Sequence, residues 1–132
     1  MFKKLLLFCF LLIGAATTHA QTLKITDVDY DDKRLNNPNV NGLLGKPITL
    51  TFFDRKVRVV MASDKPAVLN KDNNDNYSAS ADYSSNDTMS WYLEPETTLG
   101  IITSVVYKVT ISEKRSPFRS STLTITGKRF NY

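Results

Sequence analysis

From residue 48 onward, apolar and polar side chains alternate with a period of two. Ile48, Leu50 and Phe52 are separated by Thr49 and Thr51, and Val57, Val59 and Met61 by Arg58 and Val60. Tyr77, Ala79, Ala81 and Tyr83 alternate with Ser78, Ser80 and Asp82, and Met89, Trp91 and Leu93 with Ser90 and Tyr92. The longest run puts Ile101, Thr103, Val105, Tyr107, Val109 and Ile111 on one face, and Leu123 and Ile125 follow among threonines. β-Branched and aromatic residues at this spacing fit a half-buried pleated surface. No stretch beyond residue 20 carries an apolar stripe of helical period, so the pattern predicts an all-β fold.

Turn chemistry separates these runs. Asp54-Arg55 is short enough for a tight hairpin, and Asp64-Lys65-Pro66 stops the strand that follows it. Lys71 to Asn76 and Ser84 to Asp87 are polar clusters of turn-forming residues, and Pro95, Gly100 and Pro117 punctuate the rest. Residues 31–47, rich in Asn, Gly and Pro, form the longest irregular stretch, with room for a short helix around Leu43 and Leu44. A loop of that length is often functional. Seven or eight short antiparallel strands in a meander are expected, and both a closed barrel and a two-sheet sandwich satisfy the pattern. In size and strand rhythm the chain resembles the small lipocalin-like barrels. Their Gly-x-Trp signature near the first strand is missing, since the single tryptophan is Trp91. The resemblance implies a small β-barrel and the carriage of a small apolar ligand.

The N-terminus follows a different rule. Lys3 and Lys4 precede an apolar run from Leu5 to Ala16, and small residues at Thr18 and Ala20 form a signal-peptidase exit. The run is too short for a membrane-spanning helix, which takes about 20 residues. Residues 1–20 read as a cleaved secretory signal and 21–132 as one all-β domain, periplasmic or extracellular, with no transmembrane helix. Cys9 sits inside the apolar run, where a lipid-anchoring cysteine does not belong.

Cleavage after Ala20 changes the chemistry that remains. Of 17 basic and 13 acidic residues, it removes Lys3 and Lys4 and leaves a net charge of +2. That charge is too small to point to nucleic acid. Cys9 and His19 are the only cysteine and histidine of the sequence, and both depart with the signal. A disulfide framework, a Cys/His zinc site, a cysteine nucleophile and a Ser-His-Asp triad are thereby excluded from the mature chain. The expectation is a non-catalytic binding domain without a cofactor or metal.

Several clusters have the composition of a site. Asp27, Asp29 and Asp31 share one strand parity, with Asp32 adjoining, and offer hard oxygen ligands of the kind Ca²⁺ takes. They equally suit a solvated strand end that discourages edge pairing. Asp72 to Asn76 imitates the start of an EF-hand loop but lacks its glycine and its closing glutamate, with Tyr77 and Tyr83 at those positions. Glu94 and Glu96 flank Pro95 and read as solvated loop carboxylates rather than a hydrolase pair. Basic residues at 55–58, 114–119 and 128–129 form an anion-binding patch only if their strands are neighbours. Asn76 and Asn86 each begin an N-glycosylation acceptor pattern.

The aromatic set bears most directly on function. Tyr77, Tyr83, Trp91 and Tyr107 fall on the apolar parity of their strands, so in a barrel they face the interior. There they either fill the core or line a pocket for a small apolar ligand. The alternative function is a surface module that engages an extracytoplasmic protein or glycan. The terminal Phe130 and Tyr132 imitate an outer-membrane barrel signal, yet their strand face also carries Lys128, Thr126, Thr124 and Thr122, which is no lipid-facing band.

Overall fold

The computed structural model describes residues 19–31, 42–62 and 65–129. Eight antiparallel strands run β1 His19–Tyr30, β2 Pro47–Phe53, β3 Lys56–Met61, β4 Ala67–Lys71, β5 Tyr77–Asp82, β6 Asp87–Thr98, β7 Ile101–Glu113 and β8 Ser120–Lys128. Each pairs with the next, and β8 returns to pair with β1, so the sheet closes into a barrel. Closure decides between barrel and sandwich, and it gives every strand a partner on both sides over at least part of its length.

The two-residue alternation becomes an inside and an outside. Leu23, Ile25, Ile48, Leu50, Val57, Leu69, Leu93 and Ile125 are completely buried, and Val59, Val105, Tyr107, Val109 and Leu123 nearly so. The intervening positions of β8 are Thr122, Thr124 and Thr126, and those of β3 include Lys56 and Arg58. Gly127 belongs to the inward set, and its lack of a side chain lets β8 approach Ile48 and Val105.

The strand turns lie on two rims. Asp54 and Arg55, with φ of 47° and 59°, make the two-residue β2–β3 hairpin on one rim. Leu99 and Gly100, with φ of 54° and 78°, do the same between β6 and β7. Positive φ at both central positions matches the right-handed twist of the flanking strands. The opposite rim carries the connections β1–β2, β3–β4, β5–β6 and β7–β8. There Gly42–Gly45 forms a turn rather than the short helix for which the sequence had room. Gly45 N–H donates to Ile25 O at 2.8 Å, and Leu43 is buried against the barrel.

Four details depart from the simple alternation. β4 is five residues long with Ala67, Val68 and Leu69 in succession, so it shows no alternation, and its ladder with β3 reveals it. Pro95 lies within β6 instead of ending it. Odd-numbered β6 residues aim their amides at β5, which starts at Tyr77 opposite Leu93, so Pro95 removes no ladder bond. A bulge in β7 opposite Glu96–Thr97 inserts one residue, which buries Ile102 and leaves Ile101 43% exposed. Ile101 and Thr103 therefore leave the interior face on which strict alternation places them, and Thr103 Oγ1 donates to Glu96 O. A second bulge between Ile25 and Asp27 turns Val28 and Tyr30 toward the core and Asp27, Asp29 and Asp31 outward.

The segment expected to be a secretory signal falls almost wholly on residues 1–18, outside the described residues, as do 32–41, 63–64 and 130–132. Among the described residues no helix is long and apolar enough to cross a membrane.

Candidate functional site

The barrel wall is incomplete between β4 and β5. Their ladder contains only Asn70↔Ser78 and Lys71↔Tyr77, whereas β5 and β6 pair at six positions from Tyr77↔Leu93 to Asp82↔Thr88. Toward the rim with the long connections, β4 leans away from β5 and a cleft of about 710 Å³ opens. Ala67, Ala79, Ala81, Met89, Trp91 and Tyr107 supply its inward walls, and Lys65, Pro66, Val68 and Ser80 its mouth.

The local sequence explains the opening. β4 is only five residues long, and Pro66 before it has no N–H to offer a ladder. The inward positions of β5 toward this rim are alanines, too small to fill the space that β4 vacates. Ala79 is accordingly half-buried and Ala81 exposed, although both carry the core parity. Trp91 is half-buried and packs on the core, while Tyr107 below it is 2% exposed. The cleft thus has an aromatic floor, small flanks and one cation, Lys65, at its edge.

Of the four aromatic residues expected inside, two meet here. Trp91 and Tyr107 line the cleft. Tyr77 is buried near the opposite rim, tilted against Phe52 with ring centroids 5.6 Å apart, where a second groove of about 390 Å³ also holds Lys71 and Pro95. Tyr83 does not line the cleft. β5 ends at Asp82, and Tyr83 N–H donates to Asp87 O in the turn that follows, which leaves its ring 60% exposed. Sequence parity failed there because the strand stopped one residue early. The residues that parity undervalued are Ala79 and Ala81, whose significance comes from what they do not fill.

The other clusters are occupied by structural work or dispersed. Asp31 Oδ1 accepts from Thr122 N–H at 2.7 Å, tying the end of β1 to β8. Among the described residues no group of three or more His, Cys, Asp or Glu is placed to hold a metal ion. Asp72 Oδ1 accepts from the amides of Asn74 and Asn76 at 2.8 and 3.1 Å, so it builds the β4–β5 turn. Glu96 Oε2 accepts from Ser104 Oγ at 3.0 Å on the outer wall. The basic segments divide between the rims: Arg55 and Lys56, with Lys128 and Arg129 at the end of β8, sit at one, and Lys114, Arg115 and Arg119 at the other. Lys114 pairs with Asp82 at 2.9 Å and Arg119 with Glu113 at 3.1 Å. Asn86 is exposed and Asn76 half-buried, both in turns.

One outer-wall hydroxyl is electrostatically marked. Burial, with smaller contributions from the charges of Glu94 and Asp72, pushes the Tyr92 hydroxyl above the usual tyrosine range. It lies on the outward parity of β6, away from the cleft.

No protein-family model, curated protein or solved structure matches the chain.

Proposed function

We propose that the protein is an exported, non-catalytic binding protein whose cleft beside Trp91 and Tyr107 receives a small apolar ligand. The observation that carries this reading is the cleft itself. A space of about 710 Å³ with apolar walls falls in the size range of ligand pockets, about 300–1,000 Å³. Burying an apolar molecule there releases water from the indole and the alanine flanks, at roughly 25 cal/mol per Å² covered. Lys65 and Ser80 at the mouth provide the few polar groups that orient such a ligand.

Export rests on the basic, apolar and small-residue sequence of residues 1–20. Processing after Ala20 trims β1 to begin at Gln21, still paired with Leu50. It also removes the stack of His19 on Phe52, with centroids 5.7 Å apart. The lipocalin-like aspect is the closed meander with an apolar interior, while the opening here is lateral, through the wall. The outward threonines of β8 and the cations of β3 are the reverse of the apolar band that a lipid-spanning barrel presents. Engagement of a protein or glycan by the outer surface is the second reading, favoured by the exposure of Leu99 and Phe118, 96% and 67%.

Native mass spectrometry of the protein purified from its own host tests the proposal. The expected result is a reproducible additional mass that leaves on denaturation. A bare mass, together with Trp91 fluorescence indifferent to a panel of apolar probes, overturns the small-ligand reading.

A further inference from the structure

The opened seam exposes backbone as well as side chains. Asp72 N–H donates to Asn76 O across the β4–β5 turn, so even-numbered residues of β5 direct their N–H and C=O groups toward β4. Odd-numbered residues direct theirs toward β6, as Tyr83 N–H to Asp87 O shows. Beyond Ser78, the next groups aimed at the seam are those of Ser80 and Asp82. The β4–β5 ladder ends before it reaches them. β5 thus presents a short acceptor edge above the apolar floor that contains Trp91.

We propose that this edge is a docking strand: an extended segment of a partner polypeptide, apolar at alternate positions, pairs with Ser80–Asp82 and lays its apolar side chains over Trp91. The inference goes beyond the small-ligand reading and shares with it the apolar floor and the mouth residues Lys65 and Ser80.

Backbone complementarity selects this occupant. A row of donors and acceptors at strand spacing is matched repeatedly by another extended backbone, the basis of recognition by strand addition. Side-chain parity gives the rest of the pattern. Residues opposite Ser80 and Asp82 point outward and can be polar, whereas their neighbours point inward beside Ala79 and Ala81, where small side chains leave room. Exposed Lys65 at the mouth favours an acidic residue at the flank of the segment.

Pairing with β4 at the same time is excluded by phase. Outward residues of the added strand spend their amides on β5. The seam-facing amide of β4 belongs to Val68, also outward, and needs an outward partner. Ser80 and Asp82 therefore acquire protection on docking, and Val68 does not.

The test uses a capped seven-residue peptide with valines alternating with threonines and one terminal aspartate. A second version is N-methylated at the threonine amides that face β5. Trp91, the single tryptophan, reports binding, and amide hydrogen exchange locates it. The expected results are saturable binding, slowed exchange at Ser80 and Asp82, and at least about tenfold weaker binding of the methylated peptide, since two backbone bonds are lost. Ser80→Pro removes the seam amide but spares those of Ala79 and Ala81 that hold β6. It is expected to weaken peptide binding roughly fivefold or more. If Ser80→Pro does not fold, the methylated peptide on the unaltered protein carries the decision.

Peptide binding indifferent to N-methylation overturns strand addition and leaves the small-ligand reading standing. So does binding of the apolar probe without the peptide. Slowed exchange at Ser80 and Asp82 that follows protein concentration alone makes a second copy of the chain the occupant, and also overturns the proposal. If neither peptide nor apolar probe perturbs Trp91, both readings of the cleft fail.

Discussion

Trp91 stands directly opposite Ala79 in the β5–β6 ladder, a large ring beside a side chain of one carbon. The pair leaves the space above the indole unfilled on the side from which β4 has withdrawn. Two substitutions separate its packing from its binding role. Leu93, two residues along the same strand, is completely buried. Leu93→Ala is expected to cost about 2–5 kcal/mol of stability in urea unfolding. Trp91→Ala should cost less than the roughly 3–5 kcal/mol typical of a fully buried aromatic, and should abolish binding of apolar probes. A loss at Trp91 as large as that at Leu93, with probe binding retained, assigns the tryptophan to the core alone.

Filling the space from the other side gives a complementary result. Ala79→Leu projects a longer side chain into the cleft, where it meets solvent-accessible volume rather than packed atoms. Probe affinity should fall about tenfold or more, while the melting temperature stays within about 2 °C of the parent. A variant that melts much earlier would show that the cleft is too narrow to admit a ligand.

Gly127 is a point where added bulk has nowhere to go. A Cβ there would stand 2.9 Å from Ile48 Cγ2 and 3.2 Å from Val105 Cγ2, both on core side chains. Gly127→Ala should destabilise the barrel by about 1–3 kcal/mol through overpacking. Ile48→Ala removes the Cγ2 that the added methyl meets, so the double variant is expected to be more stable than the two single losses together predict; strictly additive losses would place the cost of Gly127→Ala elsewhere.

The β6–β7 turn is strained in a way that the sequence makes correctable. Leu99 holds φ at 54° with its side chain 96% exposed, so it has the steric cost of the left-handed region and little burial in return. Leu99→Asn places the favoured residue before Gly100 in this turn type. A gain of about 1 kcal/mol is expected, read as a rise in melting temperature. No rise would mean that Leu99 makes a compensating contact in solution.

Tyr92 gives the protein an alkaline signature. Its folded-state pKa is raised, so the folded protein holds the phenolic proton more tightly than the unfolded chain. The contribution is fully present below the ordinary tyrosine pKa and is lost as pH rises through the raised value. Melting temperatures followed between about pH 9 and pH 11 should fall more steeply for the parent than for Tyr92→Phe. Parallel profiles would remove Tyr92 from the alkaline transition.

The sequence by itself determined the all-β class, the meander and most of the core. Those features rest on local period-two patterning and on turns such as Asp54-Arg55, which depend only on neighbours in the chain. It also showed Trp91 and Tyr107 on the inward parity, so the floor of the cleft was legible. Tertiary structure alone decided that β8 closes onto β1, that bulges shift Ile102 inward and Asp27 outward, and that Tyr83 lies past the end of its strand. It also decided where the wall opens. An opening depends on which strands fail to pair and on how little the facing alanines fill. Pairing length and unfilled volume are properties of residues distant in sequence, and alternation along one strand carries neither.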